Sequence, residues 1–363
     1  MSGSRRFIGL LLVAVAVVVA LLVPVLNLTL GGLLPGPLNS PGSLNLLALM
    51  LLAGATAISL DLVFGYTGLL SLGHGVHFGV GCYSAVLFAN TASIGFGAGV
   101  LLAMLTTLVI AFVGNACALK LTGFGFAMAS LALVQLLAIF VERGYWGSGG
   151  EVGLTYDSGV LPGNFTGLAN SRNIYWLAAG TLMLIYVLAR LAVATEAGSV
   201  WQAIRDNPLR AQVLGVPVYG YRLAAATFGS FLAGVCGIAY SVVMSGANPG
   251  VVALTYSLGL ILMVVLGGRG LLWGAMLGGL LYTYLDLRLA ALSTLSGVED
   301  LPGVLRIPLT QPQFILGAVF VLVILFLPGG LASALSRRGG SKNGPGSGRT
   351  AVLVNRLRKA PSP

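Results

Sequence analysis

The chain alternates between long apolar runs and short polar connections. Ten runs are present, and several approach the roughly 20 residues with which a helix crosses the hydrocarbon core of a bilayer. They cover residues 7–26, 44–64, 73–92, 98–119, 124–142, 174–194, 222–245, 251–268, 271–290 and 312–328. None shows the alternation of lipid-facing strands, which excludes a membrane barrel. The pattern predicts an all-α, polytopic integral membrane protein with about ten transmembrane helices.

Composition supports the membrane assignment. Only 8% of the residues are charged and 57% are hydrophobic, whereas soluble domains carry about 25% charged residues. Run 7–26 follows Arg5 and Arg6, as in a signal peptide, but its length and the lack of a small-residue cleavage site favour a retained first helix over a cleaved one. Run 73–92 is rich in glycine, so the sequence is compatible both with a full crossing of the membrane and with a re-entrant segment.

The distribution of basic residues predicts the orientation. The net charge of +10 does not indicate a nucleic-acid partner, because the basic residues lie singly at span ends or in the tail. A cytoplasmic N-terminus places one group inside, namely Arg5, Arg6, Lys120, Arg190, Arg205, Arg210, Arg222, Arg269 and the seven of the tail. It leaves Arg143, Arg172, Arg288 and Arg306 outside. Both termini are therefore predicted to be cytoplasmic.

Three regions follow from the pattern of spans. Residues 1–43 contain the first helix and an outer loop, residues 44–328 form the core, and residues 329–363 form a tail rich in Gly, Ser, Pro and Arg. The tail has too few apolar residues to fold and is predicted to be disordered. Its basic residues either contact anionic membrane lipid or have no role.

A polar island, residues 196–222, lies between two spans on the cytoplasmic side. Ser199 and Gln202 have capping-box spacing, which predicts a first helix at 200–206. Asn207-Pro208 predicts a second helix at 208–214, ended by Gly215. Helices of two turns are not stable alone in water. The apolar face that they share packs either on the protein's own cytoplasmic rim or in a groove of a partner.

Polar and glycine residues near the second run are candidates for a solute pathway. Asp61 is acidic within a predicted span, where it either faces an aqueous path or caps a helix at the cytoplasmic end. The glycines of 65–81 indicate either a broken helix or close helix packing. The candidate pathway residues are Asp61, Gly65, Gly68, Ser71, Gly73, His74 and Gly75.

No chemistry is predicted for the chain itself. His74 and His77 lack a third ligand nearby, so a metal site is not expected, and the three cysteines are predicted to be buried and unpaired. Neither a catalytic cluster nor a cofactor motif is visible. The phosphate-binding G-x-x-x-x-G-K-[ST] pattern does not occur in the sequence, so any ATP hydrolysis is expected on another subunit.

Three motifs carry a resemblance to a known family. They are AIRDNPLRAQVLGV at 203–216 with YRLAAATFGSFLAGVCGIAYS at 221–241, GYTGLLSLGHG at 65–75, and LMVVLGGRG at 262–270. Together they resemble the LivM-type permeases of ABC importers for branched-chain amino acids and, in close relatives, urea. The chain departs from that family's pattern at His77 and in the outer loop at 146–157.

The resemblance implies a function and a set of partners. The chain would be a permease of the bacterial plasma (inner) membrane, assembled with a second homologous permease, two ABC ATPase subunits and an extracytoplasmic solute-binding protein. The polar island would couple the ATPase to the spans, through Ser199, Trp201, Ala203, Ile204, Arg205, Asp206, Asn207, Arg210 and Gly215. A stand-alone ion-coupled transporter is the rival, although it would be expected to carry more carboxylates inside its spans.

Overall fold

A computed structural model of the protein describes most of the core. The described residues are Pro24, Thr29, 35–91, 95–121, 123–167, 170–292, 311–326 and 329–332. The predicted first span at 7–26 lies outside them except for Pro24, and so does the tail beyond residue 332.

Within the described part the fold consists almost entirely of helices. They are α1 Pro41–Asp61, α2 His74–Ala89, α3 Phe96–Ala118, α4 Phe124–Glu142, α5 Ser171–Ala194, α6 Glu196–Asp206, α7 Pro208–Val213, α8 Val218–Val243, α9 Leu254–Gly267, α10 Leu272–Leu292 and α11 Pro312–Phe326. A π-helical turn, Leu62–Tyr66, continues α1. Two short strands, β1 Leu154–Thr155 and β2 Gly246–Ala247, pair in antiparallel fashion.

The helices match the apolar runs of the sequence. Every predicted span from 44–64 onward overlaps one described helix, so the prediction of an all-α polytopic membrane protein is confirmed. Among the described helices, five are long and apolar enough to cross a membrane. These are Pro41–Tyr66, Phe96–Ala118, Phe124–Glu142, Ser171–Ala194 and Val218–Val243. The total of ten spans stays a prediction.

Helix α2 lies at the centre of the described bundle. All of its residues from His74 to Val86 are buried, and it packs chiefly against α8 and α3. Glycines allow the backbones to approach, since a methyl group at Gly81 or Gly237 would overlap a backbone carbonyl of the facing helix. Close packing, one of the two alternatives for the glycine-rich segment, therefore explains these glycines.

Contacts at the two ends of the bundle separate the predicted cytoplasmic and outer segments. At one end, the Tyr219 hydroxyl donates to the Ala116 carbonyl at 3.1 Å. At the other end, the Asn90 amide donates to the Thr155 carbonyl at 2.8 Å. Helix α2, with 16 residues, is not among the helices long enough to cross a membrane, so the choice between a full crossing and a re-entrant segment for this run stays a prediction. Each of the two contacts joins segments that the charge pattern predicts on the same side of the membrane.

Candidate coupling site at the cytoplasmic end

The polar island folds into two short helices, and the first begins earlier than the sequence predicts. Helix α6 starts at Glu196 because the chain turns out of α5 at the single residue Thr195. Gly198 allows this turn, since a methyl group there would overlap the backbone of Val193. The Ser199 hydroxyl donates to the Glu196 carbonyl at 2.6 Å instead of capping a helix end. The predicted capping box is therefore wrong.

The second helix begins and ends as its sequence predicts. The Asn207 side chain accepts a hydrogen bond from the Arg210 amide at 2.9 Å, and Pro208 occupies the first helical position. Gly215 adopts a left-handed conformation, with φ of 85°. Asn207 between α6 and α7 has an extended backbone, which interrupts the helix and separates the two.

The apolar face of α6 packs on the protein itself. Trp201 is only 5% exposed, and its indole N–H donates to the Tyr221 carbonyl at 3.0 Å. Ile204 is fully buried against Ala211 of α7 and Val218 of α8. Packing on the protein's own rim, one of the two alternatives, is therefore right for α6.

The apolar residues of α7 point the other way. Leu209 is 73% exposed, Val213 is 86% exposed, and Leu214, which follows the helix, is 76% exposed. We refer to Leu209, Val213 and Leu214 as the α7 patch. The single apolar face expected from the sequence is thus divided, with α6 anchored in the protein and the α7 patch presented to the cytoplasmic side.

Arg205 connects this island to the first core helix. Its Nη1 atom donates to the Gly65 carbonyl in the π-helical turn at 2.6 Å. Asp61, one helical turn earlier, accepts a hydrogen bond from the Gly270 amide at 2.8 Å through Oδ1. Asp61, Gly65, Arg205 and Gly270 form what we call the cytoplasmic junction. It joins α6, the end of α1 and the loop between α9 and α10.

Glycines allow this junction to close. A methyl group on Gly65 would overlap the Asp61 carboxylate and the Gly270 amide. Gly68 and Gly270 both have left-handed conformations, with φ of 73° and 74°, and each lies against the Arg205 side chain. Residues from all three sequence motifs therefore meet at one place, although they are far apart in the chain.

Comparison with known proteins identifies the family. The profile described as the permease component of branched-chain amino acid transport systems matches residues 42–324. The chain belongs to this family. It is a membrane-spanning permease component, and the resemblance that rests on the three motifs is confirmed.

Individual relatives are distant but cover most of the permease. The LivM permease of the high-affinity branched-chain amino acid transport system of Salmonella typhimurium is 23% identical over 76% of this chain and 72% of its own. The corresponding Escherichia coli protein is 22% identical over the same shares. The autoinducer 2 import permease LsrC of Yersinia pestis is 27% identical over 70% of this chain and 68% of its own. No solved structure matches the chain.

Asp61 lies at the cytoplasmic end of its helix in the permease. Its carboxylate faces the backbone amides that precede α10, which is the favourable end of a helix for a negative charge. Of the two alternatives from the sequence, helix capping is therefore the one observed. Gly270 was not singled out as a site residue by the sequence analysis, although it ends the third motif.

The remaining candidate pathway residues lie at the start of α2, away from the junction. The Leu72 amide donates to the Ser130 hydroxyl of α4 at 3.0 Å, and a methyl group on Gly73 would overlap the Ser130 carbonyl. The His74 ring nitrogen Nε2 lies 2.9 Å from the Ser59 hydroxyl. Ser71 is buried, and Gly75 lies against Ser257 of α9. In this arrangement the residues pack between helices, and their role in a pathway stays a prediction.

Replacing Gly68 with alanine is expected to destabilise the permease by about 1–2 kcal/mol, because alanine is strained in the left-handed region. The added methyl group would also lie 3.0 Å from the Cγ atom of Arg205. Thermal unfolding of the purified variant in detergent measures the effect. Gly180→Ala is the matched control, since no neighbouring atom lies within 4 Å of the added methyl group. Equal melting temperatures for the two variants would contradict the expectation.

Proposed function

We propose that this chain is the permease subunit of an ATP-driven, binding-protein-dependent importer of branched-chain amino acids. The observation that carries the proposal is the exposed α7 patch, which lies next to the helix α6 that the junction ties to the core. An apolar helical face of this kind fits a groove on a soluble partner. ATP hydrolysis is assigned to that partner because the sequence has no phosphate-binding loop.

The junction gives the partner's movement a route into the membrane. Displacement of α7 moves α6, because Ile204 and Ala211 pack together between them. Displacement of α6 pulls on the Gly65 carbonyl through Arg205 and thereby on the end of α1. Asp61 carries the same movement to the loop before α10. In this mechanism the ATPase rocks several spans together and alternates access to the solute.

Further partners are assigned to other surfaces. A second, LivH-like permease completes the pore, two ABC ATPase subunits act from the cytoplasm, and the basic tail contacts membrane lipid. The solute-binding protein docks on the outer loop at 143–167, where the Trp146 side chain is 88% exposed. Its indole packs edge-on against Phe140 with ring centroids 5.3 Å apart, which holds it outward as a contact for a partner.

The solute is assigned from the family and from the LivM relatives. The alternative solute is urea or another small polar molecule carried by the same machinery. The similarity to an autoinducer 2 permease supports this alternative, because that relative belongs to an import system named for a different solute. Uptake of leucine, isoleucine, valine and urea by the reconstituted importer with its solute-binding protein decides between them. The rival ion-coupled transporter is less well supported, because Asp61 is engaged as a helix cap.

Arg205→Ala tests the coupling role. The variant is expected to assemble with the ATPase and to lose at least about tenfold in solute-stimulated ATP hydrolysis, since a charge-assisted hydrogen bond to the Gly65 carbonyl is lost. Arg190→Ala is the control, because that exposed arginine bonds only Tyr186 of its own helix among the contacts found in the described residues. Undiminished stimulation and uptake in Arg205→Ala would refute the coupling role.

A further inference from the structure

A second site lies far from the junction, in the outer half of the permease. A cavity of about 630 Å³ opens between α1, α9, α10 and α11, a size typical of small-molecule sites. It reaches Leu49 and Leu52 in the outer part of α1 and Asn248 in the loop beside β2. Because β2 pairs with the outer loop, this cavity faces the side from which an importer receives its solute.

Aromatic rings form one wall of this cavity. Phe78 of the central helix packs against Tyr240 of α8 with ring centroids 5.3 Å apart, and against Tyr256 of α9 at 4.9 Å. All three line the cavity. Aromatic faces bind organic cations as well as apolar groups, because their π-electron density is negative above the ring.

The lining of the cavity also includes a carboxylate. Asp286 of α10 is the one acidic residue among the described residues that line the cavity. It lies one helical turn after Tyr282, which also lines the cavity. Gly259 of α9 leaves space for the Tyr282 hydroxyl, which would lie 3.0 Å from a methyl group at that position. A half-buried carboxylate between apolar helices is costly unless a cation compensates it.

Aliphatic side chains complete the lining. Leu52 of α1, Leu262 and Met263 of α9 and Leu316 of α11 all border the cavity. The lining therefore combines one negative charge, aromatic faces and branched aliphatic surface. That combination suits a small molecule with an ammonium group at one end and an aliphatic group at the other.

We infer that this cavity is a transient solute site that recognises the ammonium group of an aliphatic amino acid, with Asp286 as the ammonium-binding residue. The inference rests on the proposed import function and adds the chemistry of recognition within the permease. Asp286 pairs with the ammonium group, and the Tyr282 ring one helical turn earlier on α10 lines the same part of the cavity. The Thr283 hydroxyl, which also lines the cavity, donates to the carboxylate of the amino acid, and the aliphatic wall receives its side chain. An uncharged sugar or urea lacks the cation that this site compensates.

Competition against radiolabelled leucine tests the inference on the assembled importer without its solute-binding protein. Isoamylamine keeps the ammonium group and the branched chain of leucine, whereas 4-methylpentanoate keeps the chain and lacks the ammonium group. Isoamylamine is expected to displace leucine at a concentration at least about tenfold lower than 4-methylpentanoate requires. The reason is that only isoamylamine offers a charged donor to Asp286. Asp286→Asn is expected to weaken leucine binding about tenfold or more and to abolish the difference, while Asp286→Glu restores part of it.

Asp157→Asn is the matched control, since this carboxylate is exposed in the outer loop and lies outside the cavity lining. Equal competition by the two analogues, absence of leucine binding, or unchanged binding in Asp286→Asn would overturn the inference. Melting temperatures of the variants show whether they are folded, and the Asp286→Glu variant keeps the test decisive if Asp286→Asn is unstable. Failure of the unmodified importer to take up leucine with its binding protein would refute the proposed function instead.

Discussion

Replacing Leu209 and Val213 together with aspartate is expected to abolish assembly of the permease with its ATPase subunits. Both side chains are largely exposed in the isolated chain, at 73% and 86%. Burial of each in a partner groove contributes roughly 1.5–3 kcal/mol, and a buried aspartate adds a desolvation cost. The affinity should therefore fall by at least about a hundredfold. Co-purification of the ATPase with tagged permease measures the loss.

The exposure of these residues makes the experiment specific. Because neither side chain packs within the described chain, the double variant should melt at the same temperature as the unmodified permease. Gln202→Asp is the control, because it introduces an aspartate at an exposed position of α6, outside the α7 patch. Retained co-purification of the double variant would show that the α7 patch does not contact the ATPase. This outcome differs from that of Arg205→Ala, which should assemble and fail to couple.

The spans and the second island helix were predictable because local rules determine them. Runs of apolar residues gave the helices from 44–64 onward, and Asn207, Pro208 and Gly215 cap α7 as expected. The start of α6 was not predictable from its capping box. A turn of one residue at Thr195 joins α6 to α5, so the helix begins at Glu196. Ser199 therefore lies inside the helix and cannot cap its start.

The local sequence could not predict that the apolar face of α6 is buried while the α7 patch is exposed. Trp201 with Ile204 and Leu209 with Val213 have spacings of three and four residues, both of which place side chains on one helical face, so the sequence predicts one continuous apolar face. Which pair is buried depends on where α8 begins, because Tyr221 and Val218 receive the α6 face. That contact is tertiary, and spacing within the island carries no information on it.

Contacts between distant parts of the chain also determine the environment of the polar residues in the spans. The sequence indicates Asp61 as a candidate pathway residue, but only the position of Gly270, 209 residues later, shows that its carboxylate accepts a backbone amide at the start of α10. Asp286 lies near the end of the run at 271–290, where a charge usually faces water, so its position in the sequence does not indicate a role. The cavity shows otherwise, since α1 and α9 place aromatic and aliphatic walls beside it.

Replacing Gly65 with alanine is expected to have the largest effect on the stability of the permease core. Gly65 has an ordinary backbone conformation, so the effect comes from its neighbours and not from strain in the residue itself. The added methyl group would overlap the Asp61 carboxylate and the Gly270 amide, which forces the loop before α10 away from α1. Overpacking and the loss of the Asp61 hydrogen bond together cost about 2–6 kcal/mol.

A loss of that size is a large part of the free energy of unfolding of a typical domain. The yield of monodisperse Gly65→Ala permease on size exclusion and its melting temperature are both expected to fall. Gly220→Ala is the matched control on the same cytoplasmic side, since no neighbouring atom lies within 4 Å of its added methyl group. A Gly65→Ala variant with normal yield and melting temperature would mean that the junction opens without cost. In that case the close contact between α1 and the loop before α10 would not be a rigid link, and the route from α6 to α10 would have to be abandoned.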